Sequence, residues 1–270
     1  MKNKTKALTI LSSLLLVTTS LVGCAEKNSA GDIDMIAKKQ KLVVGTNSEY
    51  PPFEFLTSSS ELKGLDISIA KLIGEEISKV YDTDITVEFS DMPFDGLEGA
   101  LQAGKIDFIA AAFSKTPGRE EVALFSDIYY QAKTVLLVKN DTDFETMEDL
   151  ANKKLGAQLS TIQESFAIDA TGDENLVKAL SSISTLILEL STNNIDAIVI
   201  EKPVAESIIS SNSNLKIIDT IAFADDDGYG YAALKTSTKL IEIINNVIED
   251  LKSTGKIDQL LIEASEATGE

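Results

Sequence analysis

The chain has 270 residues, a formal net charge of −19 at pH 7, one cysteine and no histidine. Without histidine, and with only one thiol, catalytic triads and imidazole or thiolate metal sites are excluded, so we expect no metal, no cofactor and no such enzyme. The acidic balance argues against nucleic acid and anionic lipid as partners. A composition that is 44% hydrophobic is sufficient for a packed core without disulfides.

Residues 1–23 have the pattern of a targeting signal, because three lysines precede a largely apolar run. The run ends in LVGC at 21–24, which resembles the lipobox of bacterial lipoproteins. The resemblance implies cleavage before Cys24 and acylation of its thiol, which would hold the chain on the outer face of the cell membrane. The alternatives are an ordinary secretory signal with an incidental cysteine, or an uncleaved membrane helix. Residues 24–40 are expected to form a tether, and no later apolar run approaches the ~20 residues of a spanning helix.

From Lys41 onward, strand-like and helix-like segments alternate. The first series contains the strands KLVVGT, ITVEFS and IDFIAAAF, with helices over 66–80 and 94–103. The second series contains the strands KLGAQL, IDAIVI and LKIID, with a helix opening at STIQES. One final helix is expected over 239–262. This alternation favours an α/β fold with mostly parallel sheets covered on both faces.

The two series resemble each other locally. ALQAGKIDFI at 100–109 and ELSTNNIDAI at 189–198 share leucine, Ile-Asp and isoleucine at equal offsets. Either the chain contains two related lobes, or unrelated helix-turn-strand units have converged on similar sequences.

Arg119 is the only arginine in the chain, against 23 lysines. Thr116 and Pro117 predict a helix N-cap and first helical residue, so Arg119 falls in the first turn, where the helix dipole disfavours a cation. A bound anion would offset this placement, since backbone N–H groups, the Ser114 hydroxyl and a guanidinium fork form a carboxylate site. The alternative is an ion pair with Glu120 or another surface acid.

Other candidate residues follow predicted strands at the same edge. Ser160 with Gln163, and Thr161 with Glu164, both fit a capping box, which by itself explains these residues. Glu201 leaves an apolar strand and would lie either in a solvated turn or at a cleft, where it could receive an ammonium group. Three aromatics in the loop after the first strand could be displayed at this edge, but we expect at least two to pack into the core: Tyr50, Phe53 and Phe55.

A series of motifs resembles the solute-binding proteins of polar amino acid ABC importers, in the order found in that family, from Lys41 to the last helix. The motifs are KLVVGTNSEYPPFEF, GLDISIAKLI, MPFDGLEGALQAGKID, SKTPGRE, FSDIYYQA and IEKPVAE. The resemblance implies a hinged, two-lobe periplasmic-binding-protein-like fold of type II. Its first lobe would comprise 41–132 and 225–270, and its second 133–224. We expect a monomer that delivers a polar L-amino acid to a permease and ATPase complex and catalyses no reaction.

The resemblance also implies roles for individual residues. Arg119 and Ser114 of the first lobe, with Thr161 of the second, would bind the ligand α-carboxylate. The Ala112 carbonyl and Glu201 would accept from the α-ammonium. The ligand side chain would contact the remaining candidates: Tyr50 and Phe94 as a sandwich, and Asn47, Gln158 and Ile162 at its far end.

Some residues depart from the family pattern. Ser160 stands where glycine is common, Glu201 where aspartate is common, and Asn47 where binders of cationic side chains often have an acid. The neutral Asn47 together with Gln158 favours an uncharged side chain such as that of glutamine, while arginine, histidine and cystine remain open. The rival functions are a small-carboxylate dehydratase, for which Glu201 is the only evident cleft carboxylate, and an adhesin or scavenger on the same scaffold. The acidic letters DDDGYG at 225–230 do not have the spacing of an EF-hand and are expected to form a solvated loop.

Overall fold

The computed structural model describes residues 31–224 and 228–268. The predicted signal at 1–23, the predicted lipidation site Cys24 and residues 225–227 lie outside the described residues. In the part that is described, no helix is both long and apolar enough to cross a bilayer.

Strands and helices alternate along the described chain. The strands are β1 (Lys41–Thr46), β2 (Glu49–Tyr50), β3 (Glu54–Leu56), β4 (Leu62–Lys63), β5 (Thr86–Asp91), β6 (Phe108–Ile109), β7 (Ala123–Phe125), β8 (Thr134–Lys139), β9 (Leu155–Gln158), β10 (Val177–Leu180), β11 (Ala197–Glu201), β12 (Leu215–Ile218) and β13 (Ala232–Leu234). The α-helices are α1 (Ile33–Lys39), α2 (Leu65–Tyr81), α3 (Leu97–Gln102), α4 (Pro117–Val122), α5 (Ile162–Thr171), α6 (Ile183–Ser191), α7 (Lys202–Ser211), α8 (Thr238–Ser253) and α9 (Lys256–Ala267).

The strands form two five-stranded sheets and one small sheet. The first has the order β5-β1-β6-β13-β7, the second has the order β10-β9-β11-β8-β12, and β2-β3-β4 form an antiparallel sheet beside the first. In the first sheet only β13 runs against the other strands. In the second sheet only β8 does so. Each sheet is therefore mostly parallel, as the alternation of segments predicts.

Helices cover both faces of each five-stranded sheet. In the first lobe, α1, α2, α8 and α9 pack on one face, and α3 packs on the other with Leu97 and Leu101. In the second lobe, α6 and α7 cover one face and α5 the other. The period of Ile69, Ile73 and Ile77 in α2 places all three in the core, where each is fully buried.

The chain passes twice between the lobes. The first connection joins β7 to β8, and the second joins β12 to β13, so that β13 returns to the middle of the first sheet. The lobe boundaries expected at 132/133 and 224/225 fall within these connections and stay predictions.

Two expectations at the chain ends differ from the structure. Residues 33–39, assigned to the tether, form α1, because Asp32 caps the helix and Ile33 and Ile36, three residues apart, are both buried against the first lobe. The final helix is two helices, α8 and α9, because Gly255 between them adopts a left-handed conformation with φ +66°.

The predicted strand IDFIAAAF is also shorter than expected. Only Phe108 and Ile109 pair in the ladder, and Ala112 has a positive φ of 44°, which turns the chain away from the sheet. In the loop that was predicted to be solvated, Gly228 and Tyr229 are buried, so the prediction is wrong for these two residues. The three aspartates at 225–227 lie outside the described residues.

Candidate ligand-binding site

A small cavity of about 10 Å³ lies between the two lobes, at the ends of their parallel strands. This is the place where open α/β sheets bind ligands. The lining residues from the first lobe are Tyr50, Phe94, Ala111, Ala112, Ser114 and Arg119, and those from the second are Gln158, Thr161, Ile162, Gln163 and Glu201. Nine of the ten residues predicted for the site therefore line it. The tenth, Asn47, lies behind Gln158 and is hydrogen-bonded to it.

Arg119 is positioned by α4 as its sequence predicts. The Thr116 hydroxyl accepts from the Arg119 backbone N–H at 3.2 Å, and Pro117 occupies the first helical position. The side chain is only 9% exposed, and its guanidinium carbon lies 3.9 Å from the centre of the Phe113 ring. Burial lowers the pKa of Arg119, and neighbouring Glu98 opposes that shift. The cation is thus withdrawn from water and packed on an aromatic face.

The Arg119 guanidinium donates hydrogen bonds in three directions. Nε donates to Glu98 Oε1 at 3.2 Å, Nη1 to the Ser114 carbonyl at 2.7 Å, and Nη2 to the Ser160 carbonyl of the second lobe at 2.8 Å. The alternative of an ion pair with a surface acid is therefore confirmed for one edge of the guanidinium, with Glu98 as the partner and not Glu120, which pairs with Lys115. Because a guanidinium has five N–H donors, these three bonds leave two for a ligand.

The segment after β6 brings Ala112 to the cavity wall. Ala112 adopts the left-handed conformation, and its N–H donates to Asp66 Oδ2 at 2.7 Å. Within the described residues, no hydrogen bond uses the Ala112 carbonyl. Ser114, two residues further along the cavity wall, is 4% exposed.

In the second lobe, the first turn of α5 faces the cavity. The Thr161 hydroxyl caps the helix by accepting from the Glu164 N–H at 3.4 Å, and it donates to the Gln158 carbonyl at 2.7 Å. The Glu164 carboxylate accepts from the Ser160 N–H instead of that of Thr161, so only half of the predicted capping box forms. The alternative box of Ser160 and Gln163 does not form, because the Gln163 amide turns to Glu201.

Glu201 is buried at the end of β11, with 2% of its surface exposed, which rules out the solvated-turn interpretation. Its Oε1 accepts from Gln163 Nε2 at 2.7 Å, and its Oε2 accepts from the Tyr50 hydroxyl of the first lobe. Sequence reasoning missed Gln163 because its spacing from Ser160 already had an explanation as a cap. Its place in the first turn of a helix that opens at the cavity is the signal that could have identified it.

A chain of side-chain amides runs from Gln158 at the cavity wall into the first lobe. Gln158 Nε2 donates to Asn47 Oδ1 at 2.9 Å, and Asn47 Nδ2 donates to the Met92 carbonyl at 3.1 Å. The Asn47–Gln158 contact joins the two lobes. Of the three loop aromatics, Phe53 and Phe55 pack into the core as expected, while Tyr50 is buried at the cavity wall.

Two α/β lobes that face each other across a cavity with one guanidinium and one carboxylate define a two-lobed ligand-binding protein. The chain belongs to the bacterial extracellular solute-binding proteins, family 3, whose model matches residues 42–263. It is 29% identical to the arginine-binding extracellular protein ArtP of Bacillus subtilis, over 90% of this chain and 92% of that protein. It is 34% identical to a probable histidine-binding protein of Campylobacter jejuni, over 82% of this chain and 83% of that protein.

Solved structures give the same family and fold. The amino acid ABC transporter substrate-binding protein AbpA from Streptococcus pneumoniae, bound to L-arginine, is 34% identical with a TM-score of 0.82, covering 88% of this chain and 99% of that chain. An ancestral arginine-binding protein bound to glutamine is 33% identical with a TM-score of 0.73, covering 82% and 96%. The fold is thus the type II periplasmic-binding-protein-like fold. Because the family consists of solute-binding proteins, the dehydratase alternative is not supported.

Proposed function

We propose that this protein captures an amino acid with an uncharged polar side chain, with glutamine as the first candidate, and delivers it to an ABC importer. The balance of charge in the cavity carries this proposal. Arg119 and Glu201 are the only charged residues among those that line it. A zwitterion places its carboxylate at Arg119 and its ammonium at Glu201. A cationic side chain would add a buried charge without a partner, which is costly.

The contacts of Arg119 support its role toward the α-carboxylate. Its two uncommitted N–H groups and the Ser114 hydroxyl would donate to the carboxylate from the first lobe. Thr161 would add a donor from the second lobe by exchanging its hydroxyl bond to the Gln158 carbonyl for one to the ligand. The α-ammonium would then donate to Glu201 and to the Ala112 carbonyl.

The neutral end of the cavity supports an uncharged polar side chain. Tyr50 and Phe94 would hold the ligand side chain between them, and Ile162 and Gln158 would contact its end. Asn47, which was predicted to contact the ligand, would instead act by holding the Gln158 amide across the lobes. A terminal amide suits this place because it can both donate and accept hydrogen bonds.

The names of the relatives favour arginine in two cases and allow glutamine in a third. ArtP and AbpA are associated with arginine, whereas the ancestral arginine-binding protein holds glutamine in its structure. A fold of this kind therefore accommodates a neutral amide side chain.

Calorimetry on the mature domain tests the proposal with four ligands: L-glutamine, L-arginine, L-histidine and L-cystine. We expect glutamine to bind at least about tenfold more tightly than arginine, a difference of about 1.4 kcal/mol. Tighter binding of arginine would contradict the charge argument while leaving amino acid capture intact. If none of the twenty amino acids raised the unfolding temperature, amino acid capture itself would be wrong.

We also propose that the chain is held at the outer face of the membrane by a lipid on Cys24, supported by the LVGC letters at 21–24. Metabolic labelling of the full chain with an alkyne-tagged palmitate, in a bacterial host, should label the wild type. The Cys24→Ser variant should remain unlabelled. Equal labelling of both chains would rule out Cys24 as the anchor.

A further inference from the structure

Two buried acids lie beneath the cavity in the first lobe, and the site described above uses neither of them. Glu54 on β3 is 1% exposed, and Asp66 in the first turn of α2 is fully buried. Neither residue lines the cavity. Since a buried carboxyl group is stable only when its charge is neutralised or well paired, this pair calls for a physical explanation.

Asp66 connects the cavity wall to the chain segments that join the lobes. Its Oδ2 accepts from the Ala112 N–H at 2.7 Å, and its Oδ1 accepts from the Tyr231 hydroxyl at 3.3 Å. Tyr231 is the last residue of the second interlobe connection and stacks at 4.6 Å on Tyr129, which belongs to the first connection. The positive end of the α2 dipole also favours an anion at Asp66.

Ala112 needs such a contact because its backbone is strained. It is a non-glycine residue with φ +44°, a conformation that persists only where the surroundings impose it. Its N–H is held by Asp66, while the residue lines the cavity and its carbonyl takes part in no hydrogen bond of the described residues. If the N–H were released, the residue could relax and the carbonyl would turn.

Glu54 lies next to Asp66, so two carboxyl groups share one buried region. Neither carboxyl oxygen of Glu54 has a hydrogen-bond partner of ordinary geometry within the described residues. Burial, and next the charge of Asp66, raises the pKa of Glu54 well above its usual value, with a smaller contribution from Asp91. Burial raises the pKa of Asp66 to about 6, against the opposing effect of Tyr129, Ala112 and Tyr231 as donors. The donors around Asp66 favour its charged form, and Glu54 has no such donors in the part of the chain that is described, so the negative charge of the pair is placed on Asp66.

We propose that Asp66 is a positioning residue for the ligand α-ammonium, acting through the backbone of Ala112. The carboxylate fixes the strained peptide from below, so that the Ala112 carbonyl faces the ammonium on the cavity side. The inference rests on the proposed function, because it requires an amino acid in the cavity. It assigns part of the ammonium recognition to a side chain that does not touch the ligand.

The test compares each amino acid with the same molecule lacking its α-amino group. The probes are L-glutamine and 4-carbamoylbutanoate or, if arginine binds more tightly, L-arginine and 5-guanidinopentanoate. The dissociation constant of the analogue divided by that of the amino acid measures how strongly the site recognises the ammonium. In Asp66→Ala we expect this ratio to fall at least fivefold, because affinity for the amino acid drops and affinity for the analogue hardly changes. Asp66→Asn, which keeps an acceptor oxygen for the Ala112 N–H, should give an intermediate ratio.

A matched control is Asp107→Ala. Asp107 is another acid of the first lobe that accepts from a backbone N–H, that of Val43 at 2.8 Å, but Val43, unlike Ala112, does not line the cavity. This variant should lower stability and leave the ratio unchanged. If Asp66→Ala behaves like Asp107→Ala, with both ligands weakened equally, the role of Asp66 is structural and the inference is wrong.

The same measurements separate this inference from the proposed function. If the wild type binds none of the amino acids, the proposed function is wrong and the inference with it. If the wild type binds but the ratio is the same in the wild type and in all three variants, only the inference is wrong. Should Asp66→Ala fail to fold, Asp66→Asn decides the question, because an unchanged ratio in that variant would also overturn it.

Discussion

In both lobes, a glycine of a parallel strand lies under the isoleucine of an Ile-Asp pair. A Cβ on Gly45 would come within 2.4 Å of Ile106 Cδ1, and one on Gly156 within 2.5 Å of Ile195 Cδ1. The aspartate that follows each isoleucine accepts from a backbone N–H two residues before the glycine, at 2.8 Å in both lobes. The shared Ile-Asp letters therefore correspond to one structural unit used twice, which supports related lobes over convergent letters.

The two copies of this unit differ in what covers them. Asp107 is half-buried and also accepts from the Gly31 N–H at 2.8 Å, because the segment that leads into α1 passes over it. Burial raises the pKa of Asp107 above its usual value, and its hydrogen bonds from Gly31 and Val43 oppose the shift. Asp196 in the second lobe is exposed and accepts from Lys154 alone among the described residues. The two copies of the unit therefore have different environments, because an additional chain segment covers only the first.

The charges that the lobes bring to the cavity are opposite, and this difference gives the largest expected effect. The Arg119→Ala variant should bind the amino acid about 30-fold to 4,000-fold more weakly, a loss of about 2 to 5 kcal/mol, because the ligand carboxylate would be buried without its partner. Glu201→Gln should lose less, since the amide keeps an acceptor oxygen. Calorimetry on both variants, with Lys71→Ala on the exposed side of α2 as a control, measures the difference.

The first-lobe assignment fails if Arg119→Ala binds the same amino acid within a factor of three of the wild type. A larger loss in Glu201→Gln than in Arg119→Ala would reverse the comparison and make the second lobe the dominant contributor.

The glycine pair gives the next largest effect. Gly45→Ala and Gly156→Ala should each lower the free energy of unfolding by about 1 to 3 kcal/mol, because the added methyl group overpacks a buried isoleucine. Ile106→Val and Ile195→Val remove the clashing Cδ1, so each should recover part of the loss when combined with the alanine in its own lobe. Urea unfolding of the single and double variants measures this coupling. If the alanines were neutral, or if the valines gave no recovery, the two units would not be packed alike.

The sequence predicted elements whose causes are local and missed those whose causes are distant. The apolar spacing of α2 and the Thr116-Pro117 start of α4 are properties of a few consecutive letters, so both were predicted correctly. The positive φ of Ala112 could not be predicted, because Asp66, which holds it, is 46 residues earlier. The split at Gly255 could have been found, since glycine is the usual residue at a left-handed helix end.

The same division applies to the candidate site. Nine predicted residues line one cavity, and the resemblance to the family supplied most of them. It supplied nothing about Glu98, which holds one edge of the Arg119 guanidinium, because that contact depends on how α3 and α4 pack. Gln163 was missed because the sequence fits two overlapping capping boxes, Ser160 with Gln163 and Thr161 with Glu164. Only the structure shows that Gln163 instead donates to Glu201.

The smallest expected effect lies at a contact between the lobes outside the cavity. Glu49 Oε2 on β2 accepts from the hydroxyl of Ser182, the N-cap of α6, at 2.8 Å. Neither residue lines the cavity. The bond favours the arrangement in which the lobes meet. Glu49→Gln keeps an acceptor oxygen but removes the charge that strengthens the bond, so it should weaken binding of every ligand by about twofold to fivefold, a loss of about 0.5 to 1 kcal/mol.

This prediction requires the Glu49→Gln substitution to change the dissociation constants of all ligands by the same factor. A contact that acts only on closure changes all dissociation constants by one factor, because the ligand itself gains or loses nothing at Glu49. Calorimetry with two amino acids of different affinity measures this factor twice. Glu61→Gln, an exposed carboxylate next to β4 of the same small sheet, serves as the control and should change neither constant. A change in the ratio of the two constants in Glu49→Gln would mean that β2 takes part in selecting the ligand, and the first lobe would then contribute to specificity as well as to charge.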